Sequence, residues 1–215
     1  MPSHNVLSPL QIDRINNNAL IVNHKKGEII FRQDKPVSHL LFLRSGLVKI
    51  YKEGLNKKTV ILKIIGPDNY VGAFSAFYDN RYQMSGMTLE DSELIYININ
   101  IFKEILSENG SYALQLLQDF SNEGMYLINK LMDFPQKLVP GRIAEVLMFF
   151  GTEVYKNKEF TLPISRQELA DLVYSTKESV SRTLTEFKND RIIEIEDRKV
   201  TLQSVDLLKI LSKLG

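Results

Sequence analysis

Near residue 100 the apolar residues of this chain stop recurring at every second position and begin recurring at every third or fourth. Few folds use both periods in that order. Between Ile21 and Ile99 lie the short segments EIIF, HLLFL, LVKIY, TVILKII and ELIYINI. Turn signals separate them: Lys26-Gly27, Ser45-Gly46, Gly54, Gly66-Pro67 and Asp79-Asn80. Short strands at close, regular spacing predict a small all-β barrel or roll. Ahead of them, Leu7 to Ile15 reads as a short amphipathic helix, with Ser8 as N-cap and Pro9 at the first helical position.

Beyond the switch, Ile101 to Leu106 gives a short helix and Tyr112 to Phe134 a long one. In the long one Ala113, Leu117, Phe120, Gly124, Leu127, Leu131 and Phe134 follow alternating steps of four and three, the spacing of a coiled-coil seam. Leu114, Leu116 and Ile128 widen the stripe, so part of the helix is expected to pack on the roll while the seam favours a dimer axis. Gly124 costs about 1 kcal/mol of helix stability against Ala, and lets another backbone or a bound molecule come close. Pro135 is expected to stop this helix and open a hinge over 135–141. An apolar helix from Arg142 to Phe150 follows. After it come the stretch SRQELADLVYSTKESVSRTLTEF (165–187), the β-pair RIIEIEDRKVTL and a last amphipathic helix, Val205 to Leu214.

Composition narrows the chemistry. A chain of 215 residues with 44% apolar and 25% charged residues buries a real core in one or two domains. No apolar run approaches the length of a membrane span, and MPSHNVLSPLQ lacks the pattern of a secretory signal, so no membrane contact and a cytoplasmic location are expected. The absence of cysteine excludes disulfides, thiolate zinc, cysteine nucleophiles and cysteine-held iron–sulfur clusters. His4, His24 and His39 show no metal-ligand spacing and read as satisfied or exposed residues, with a haem ligand the less favoured reading. No metal site, no Gly-rich phosphate loop and no nucleophile–histidine pair suggests catalysis. Charge is balanced in both halves, so a nucleic-acid assignment rests on where charges sit.

In residues 165–187, Leu169, Ala170, Leu172, Val173, Val180 and Leu184 hold two crossing helices together. Thr176 caps the second helix, whose outer face carries Lys177, Glu178, Ser181 and Arg182. In a helix–turn–helix these positions enter the major groove. Arg182 can give paired N–H donors to guanine O6 and N7, Glu178 can accept from cytosine N4 or adenine N6, and Ser181 can bond either. Ser165, Arg166, Gln167 and Lys177 suit phosphates, which position without reading sequence. A solvated face with Glu178 and Arg182 paired at i, i+4 is the plainer alternative.

With these residues in view, the chain resembles the Crp/Fnr superfamily of bacterial transcription regulators over roughly residues 10–210. The helix–turn–helix resembles the family's through Arg166-Gln167-Glu168, Ala170, Val180, Arg182 and Leu184. GEIIFRQDKPVSHLLFLRSGLVKIY (27–51) resembles the opening of its cyclic-nucleotide-type roll. The resemblance implies an α+β chain: an effector-sensing β-roll (double-stranded β-helix) over 1–111, a dimerisation helix over 112–134, a hinge over 135–141 and a winged helix–turn–helix over 142–215. It implies a homodimer on double-stranded DNA, RNA polymerase as a partner, and a small-molecule effector. Glu178-Ser179-Val180-Ser181-Arg182 resembles the pattern of the Fnr branch, which implies TTGA-like half-sites in an inverted repeat. Tyr174 stands where the family usually has glycine, so a remodelled turn is expected.

The resemblance also frames the sensor. Cyclic-nucleotide binders open the segment at 71–97 with a glycine–glutamate pair and later supply an arginine for the phosphate. Here Ala73 follows Gly72, and counting back from LEDSE places Tyr82, Gln83 or Met84 near the arginine, with Arg81 close by. Unpartnered buried polar groups cost about 1–3 kcal/mol each, so cyclic AMP is not expected to bind. Phe74, Phe77, Tyr78, Tyr82 and Met84 either fill the core, the simpler reading, or line an apolar cavity against Gly124, Leu127 and Ile128 for an apolar effector or haem. A cyclic-nucleotide-type binding module whose winged helix contacts protein is the rival from another class.

Overall fold

The computed structural model describes residues 6–54 and 59–214, without the side chains of 133–135 and 214. It divides into two compact units, Met1–Tyr126 and Leu127–Gly215. The first begins with α1 (Pro9–Asn17), where Ser8 caps and Pro9 opens the helix as expected from sequence, and Gln11 completes a reciprocal capping box with Ser8. Strands β1 (Ala19–His24), β2 (Ile29–Phe31), β3 (His39–Ser45), β4 (Val48–Glu53), β5 (Thr59–Ile65) and β6 (Asn69–Val71) follow. Then come a short α2 (Ala73–Tyr78), β7 (Ser85–Thr88), β8 (Ser92–Asn98), α3 (Ile99–Glu108) and α4 (Gly110–Gln136).

The strands form two antiparallel sheets, β1-β8-β3-β6 and β2-β7-β4-β5. Apart from the β4–β5 pair, successive strands pass between them, which closes the chain into a roll. Phe31, Leu41, Phe42, Val48, Leu94 and Ile97 belong to one buried cluster drawn from both sheets. Gly46 makes the β3–β4 turn at φ 89°, and a Cβ there would lie 2.7 Å from the Asp91 carbonyl, so only glycine fits. Arg14 fastens α1 to α3 through Glu104 at 2.9 Å and Glu108 at 2.6 Å.

One stripe of α4 docks on the roll. Tyr112 and Leu116 are buried, and the Tyr112 hydroxyl meets that of Tyr70 at 2.7 Å. The Phe120 ring lies 5.0 Å from Phe74 and 5.6 Å from Phe77 of α2, and Glu123 pairs with Lys63 of β5. Another stripe faces out: Leu114, Leu117, Ile128 and Leu131 are 68%, 60%, 52% and 71% exposed. The expected seam is therefore corrected in phase. Phe120 turns to its own roll because α2 supplies aromatic partners, while Leu114 and Ile128, expected to help widen the packed face, point outward.

Pro135 does not stop the helix, which continues to Gln136 rather than ending at 134. A proline so near a helix end removes one bond at most from the interior ladder. The break falls at Leu138, whose extended backbone (φ −67°, ψ 160°) opens α5 (Val139–Met148), with Pro140 in the first turn, where it gives up no hydrogen bond. Within the span expected as a hinge, 135–141, only Lys137 and Leu138 lie between helices.

In the second unit a π-helical turn, Phe149–Val154, follows α5. Next come β9 (Glu159–Thr161), α6 (Arg166–Leu172), α7 (Lys177–Asn189), β10 (Ile193–Glu196), β11 (Lys199–Leu202) and α8 (Val205–Leu214). The sheet order is β10-β11-β9, so the expected β-pair has a third strand. Phe150, Leu169, Ala170, Val180, Leu184, Ile193 and Leu208 are almost wholly buried.

Candidate nucleic-acid interface

The interface is built on two capped helices. Ser165 Oγ accepts from the Glu168 N–H at 3.2 Å, and the Glu168 carboxylate accepts from the Ser165 N–H at 2.8 Å. Thr176 Oγ1 accepts from the Ser179 N–H at 3.2 Å and starts α7. Both hydroxyls keep their own hydrogen for another partner, though their acceptor role belongs first to the helix. Ala170 is fully buried, and its carbonyl accepts from the Ser175 N–H at 2.9 Å as the chain turns.

The turn keeps at Tyr174 the left-handed position that a tyrosine was expected to avoid. Tyr174 itself takes the left-handed conformation, at φ 51°. For a side chain with a Cβ this costs about 1–2 kcal/mol. Contacts offset it: Arg142 Nη1 donates to the Val173 carbonyl at 2.6 Å and reaches the Tyr174 carbonyl at 3.4 Å. Lys130 Nζ stands 5.8 Å from the centre of the Tyr174 ring.

Val180, Thr183, Leu184 and Phe187 hold one face of α7 in the core, so Lys177, Glu178, Ser181 and Arg182 are presented together on the exposed side. Among the described residues no ion pair joins Glu178 to Arg182, which leaves the solvated-pair alternative without its contact. Beside this face lies a cavity of about 250 Å³ lined by Ser165, Arg166, Gln167, Lys177, Asp197 and Arg198, among others. Arg166 Nη2 donates to the Asp197 carbonyl at 3.1 Å, whereas its Nη1 is buried with no partner. Burial holds this guanidinium below its ordinary pKa, with Asp197 opposing. Gln167 Nε2 donates to Asp171 at 2.9 Å. The sequence did not single out Asp197 and Arg198 for this role; they arrive from the wing, some thirty residues on, and no local spacing announces that.

Of the residues expected to line an effector pocket, Gly72 lies beside Tyr82, and Gln83 is tied to α2 through Ser75. Gly72 caps α2 at φ 71°, where a Cβ would come within 2.9 Å of Phe31. Ala73 is buried and Phe74 is 36% exposed. Tyr82 stacks on Phe31 at 4.2 Å, its hydroxyl reaching the His39 carbonyl at 3.4 Å, and burial pushes its pKa up to about 12. Arg81 is exposed, with Nη1 on the Asp34 carbonyl at 2.9 Å. The Gln83 N–H donates to Ser75 Oγ at 3.1 Å. Gly124 has open space where a Cβ would stand, Leu127 is partly buried and Ile128 exposed. Tyr78 is 78% exposed, so it lines no interior. His24 lies between Glu28 and the Tyr96 hydroxyl, each at 2.9 Å, and His39 contacts Ser38; His4 lies outside the described residues.

The chain thus joins a two-sheet roll to a helix–turn–helix flanked by a small antiparallel sheet. A model of the cyclic nucleotide-binding domain matches residues 21–109, and one of the Crp-like helix-turn-helix domain matches residues 141–211. The chain belongs to the Crp/Fnr superfamily of transcription regulators. It is 24% identical over 206 residues to a CRP-like cAMP-activated global transcriptional regulator of Mycobacterium tuberculosis, covering 94% of this chain and 92% of the relative. To the anaerobic regulatory protein of Bacillus subtilis it is 26% identical, covering 86% and 80%. The solved structure of FixK2 from Bradyrhizobium japonicum superposes with a TM-score of 0.82 at 19% identity, over 90% of this chain and 96% of that one. Among the described residues no helix is long and apolar enough to cross a membrane.

Proposed function

We infer that this regulator acts as a homodimer reading an inverted repeat of TTGA-like half-sites, in response to a signal other than cyclic AMP. The observation that carries the reading is the α7 face, where Glu178, Ser181 and Arg182 stand exposed over a buried anchor with no ion pair between the two charges. Arg182 would take guanine and Glu178 the amino group of a neighbouring base. The cavity with Arg166, Lys177 and Arg198 would seat a backbone phosphate and set the depth of the helix. The exposed apolar stripe of α4 supports pairing with a second copy, which would place two recognition helices about 34–36 Å apart on one duplex. RNA polymerase is the partner through which such a regulator would act, in keeping with the family.

The Mycobacterium relative is named for activation by cAMP. Here Ala73 offers no carboxylate for a ribose hydroxyl, and the guanidinium of Arg81 is engaged by a backbone carbonyl. Calorimetry with cyclic AMP and cyclic GMP is expected to show no micromolar binding. An absorbance spectrum and a mass spectrum of the native protein would report haem or a co-purified apolar effector.

Salt tests the DNA assignment. Affinity for the inverted repeat is expected to fall with a log–log slope of about −0.9 per phosphate neutralised, with the repeat favoured over its scrambled version. A shallow slope without sequence preference would instead favour a ligand-binding module whose winged helix contacts protein.

A further inference from the structure

We propose that Tyr174 is a positioning residue through which the last turns of α4 set the seat of the recognition helix α7. The proposal rests on the DNA-reading assignment. Tyr174 sits at φ 51°, in a backbone conformation that glycine would adopt without strain. A tyrosine there carries backbone strain that glycine would avoid, and what it adds is its side chain. That ring is where α4 touches the turn: Lys130 Nζ lies 5.8 Å from its centre. A cation over a tyrosine face is attracted by the ring quadrupole, so the contact favours keeping the two together.

The backbone on either side passes that placement on. Arg142 Nη1 binds the Val173 carbonyl at 2.6 Å, and the Ser175 N–H is held by the Ala170 carbonyl at 2.9 Å. The turn is therefore tied to α5 and α6. Two residues after Tyr174, Thr176 caps α7, and the first exposed base-reading position is Glu178. Between the ring and Glu178 lie only Ser175, Thr176 and Lys177, and the first two are held by these hydrogen bonds. Glycine at 174 would leave the fold intact and remove α4's handle on the turn.

The test uses the full chain carrying Tyr174→Gly, Tyr174→Phe, Lys130→Ala, or Tyr174→Gly with Lys130→Ala. Hydrogen exchange of the DNA-free protein comes first. Tyr174→Gly and Lys130→Ala should each speed exchange at the Ser175, Ser179 and Val180 amides several-fold, with the melting temperature held or raised in Tyr174→Gly. Tyr174→Phe, which keeps the ring, should match the parent. On DNA, Tyr174→Gly should narrow the preference for the inverted TTGA repeat over its scrambled version several-fold, and adding Lys130→Ala should narrow it no further. Unchanged exchange in both single variants, or additive effects in the double, would overturn the proposal. A parent protein without sequence preference would instead strike the DNA-reading assignment, and the exchange result would still decide whether α4 positions the turn.

Discussion

Arg182 projects from α7 into solvent, with no ion pair to Glu178 four residues before it. Its guanidinium is therefore available to a base edge without first breaking a contact. Arg182→Ala should weaken operator binding by about 1–3 kcal/mol and relax the preference at the guanine, as a panel of single-base operator variants would show. Equal loss on every sequence would make Arg182 a phosphate contact. Tyr82 gives a second test, in pH. Burial raises its pKa from 10.0 to about 12. Between those values the unfolded chain has released the phenolic proton while the folded chain keeps it, so this group's stability is present below pH 10 and lost as pH rises towards 12. Urea unfolding at about pH 9 and about pH 11 should show that fall, and a smaller one in Tyr82→Phe. At this scale the sequence was legible in the residues that cap helices. Ser8 before α1 and Thr176 before α7 could both be read directly. It was silent where partners are distant: nothing near Arg166 or Tyr112 foretells Asp197 or Tyr70.

The helix–turn–helix is short of hydrogen bonds to lose, since α6 has only 7 residues and α7 has 13. Thr176→Ala removes the acceptor for the Ser179 N–H and should lower stability by about 1 kcal/mol in denaturant unfolding, without changing the secondary structure seen by circular dichroism. The elements themselves were mostly readable. Alternating apolar residues marked the strands, and a 3–4 spacing marked α4. Three features were not. The phase of the α4 seam depends on Phe120 meeting Phe74 and Phe77, which no periodicity within the helix contains. The end of α4 was misjudged because Pro135 forbids little in a final turn, and Leu138 makes the actual break. Strand β9, only 3 residues long, shows its edge character only through its register with Lys199 to Thr201.

For the whole molecule, the exposed stripe on α4 is the largest claim still open to direct measurement. Leu117 and Leu131 are 60% and 71% exposed and point away from the packed stripe. Replacing both with glutamate should leave the fold intact, reduce the sedimentation mass to that of one chain, and abolish binding to the full inverted repeat while a single half-site is still bound weakly. An unchanged mass would remove α4 as the pairing surface. The buried, unpartnered Nη1 of Arg166 has a consequence for the regulator as it waits between operators. A polar group left without a partner costs about 1–3 kcal/mol, and on the proposed reading a phosphate oxygen seated in the cavity would supply one. If Arg166 meets a phosphate as proposed, the winged unit would be held in slight discomfort off the duplex, and arrival at DNA would be in part a relaxation. Part of what looks like attraction in such a complex would then already be stored in the solitary molecule.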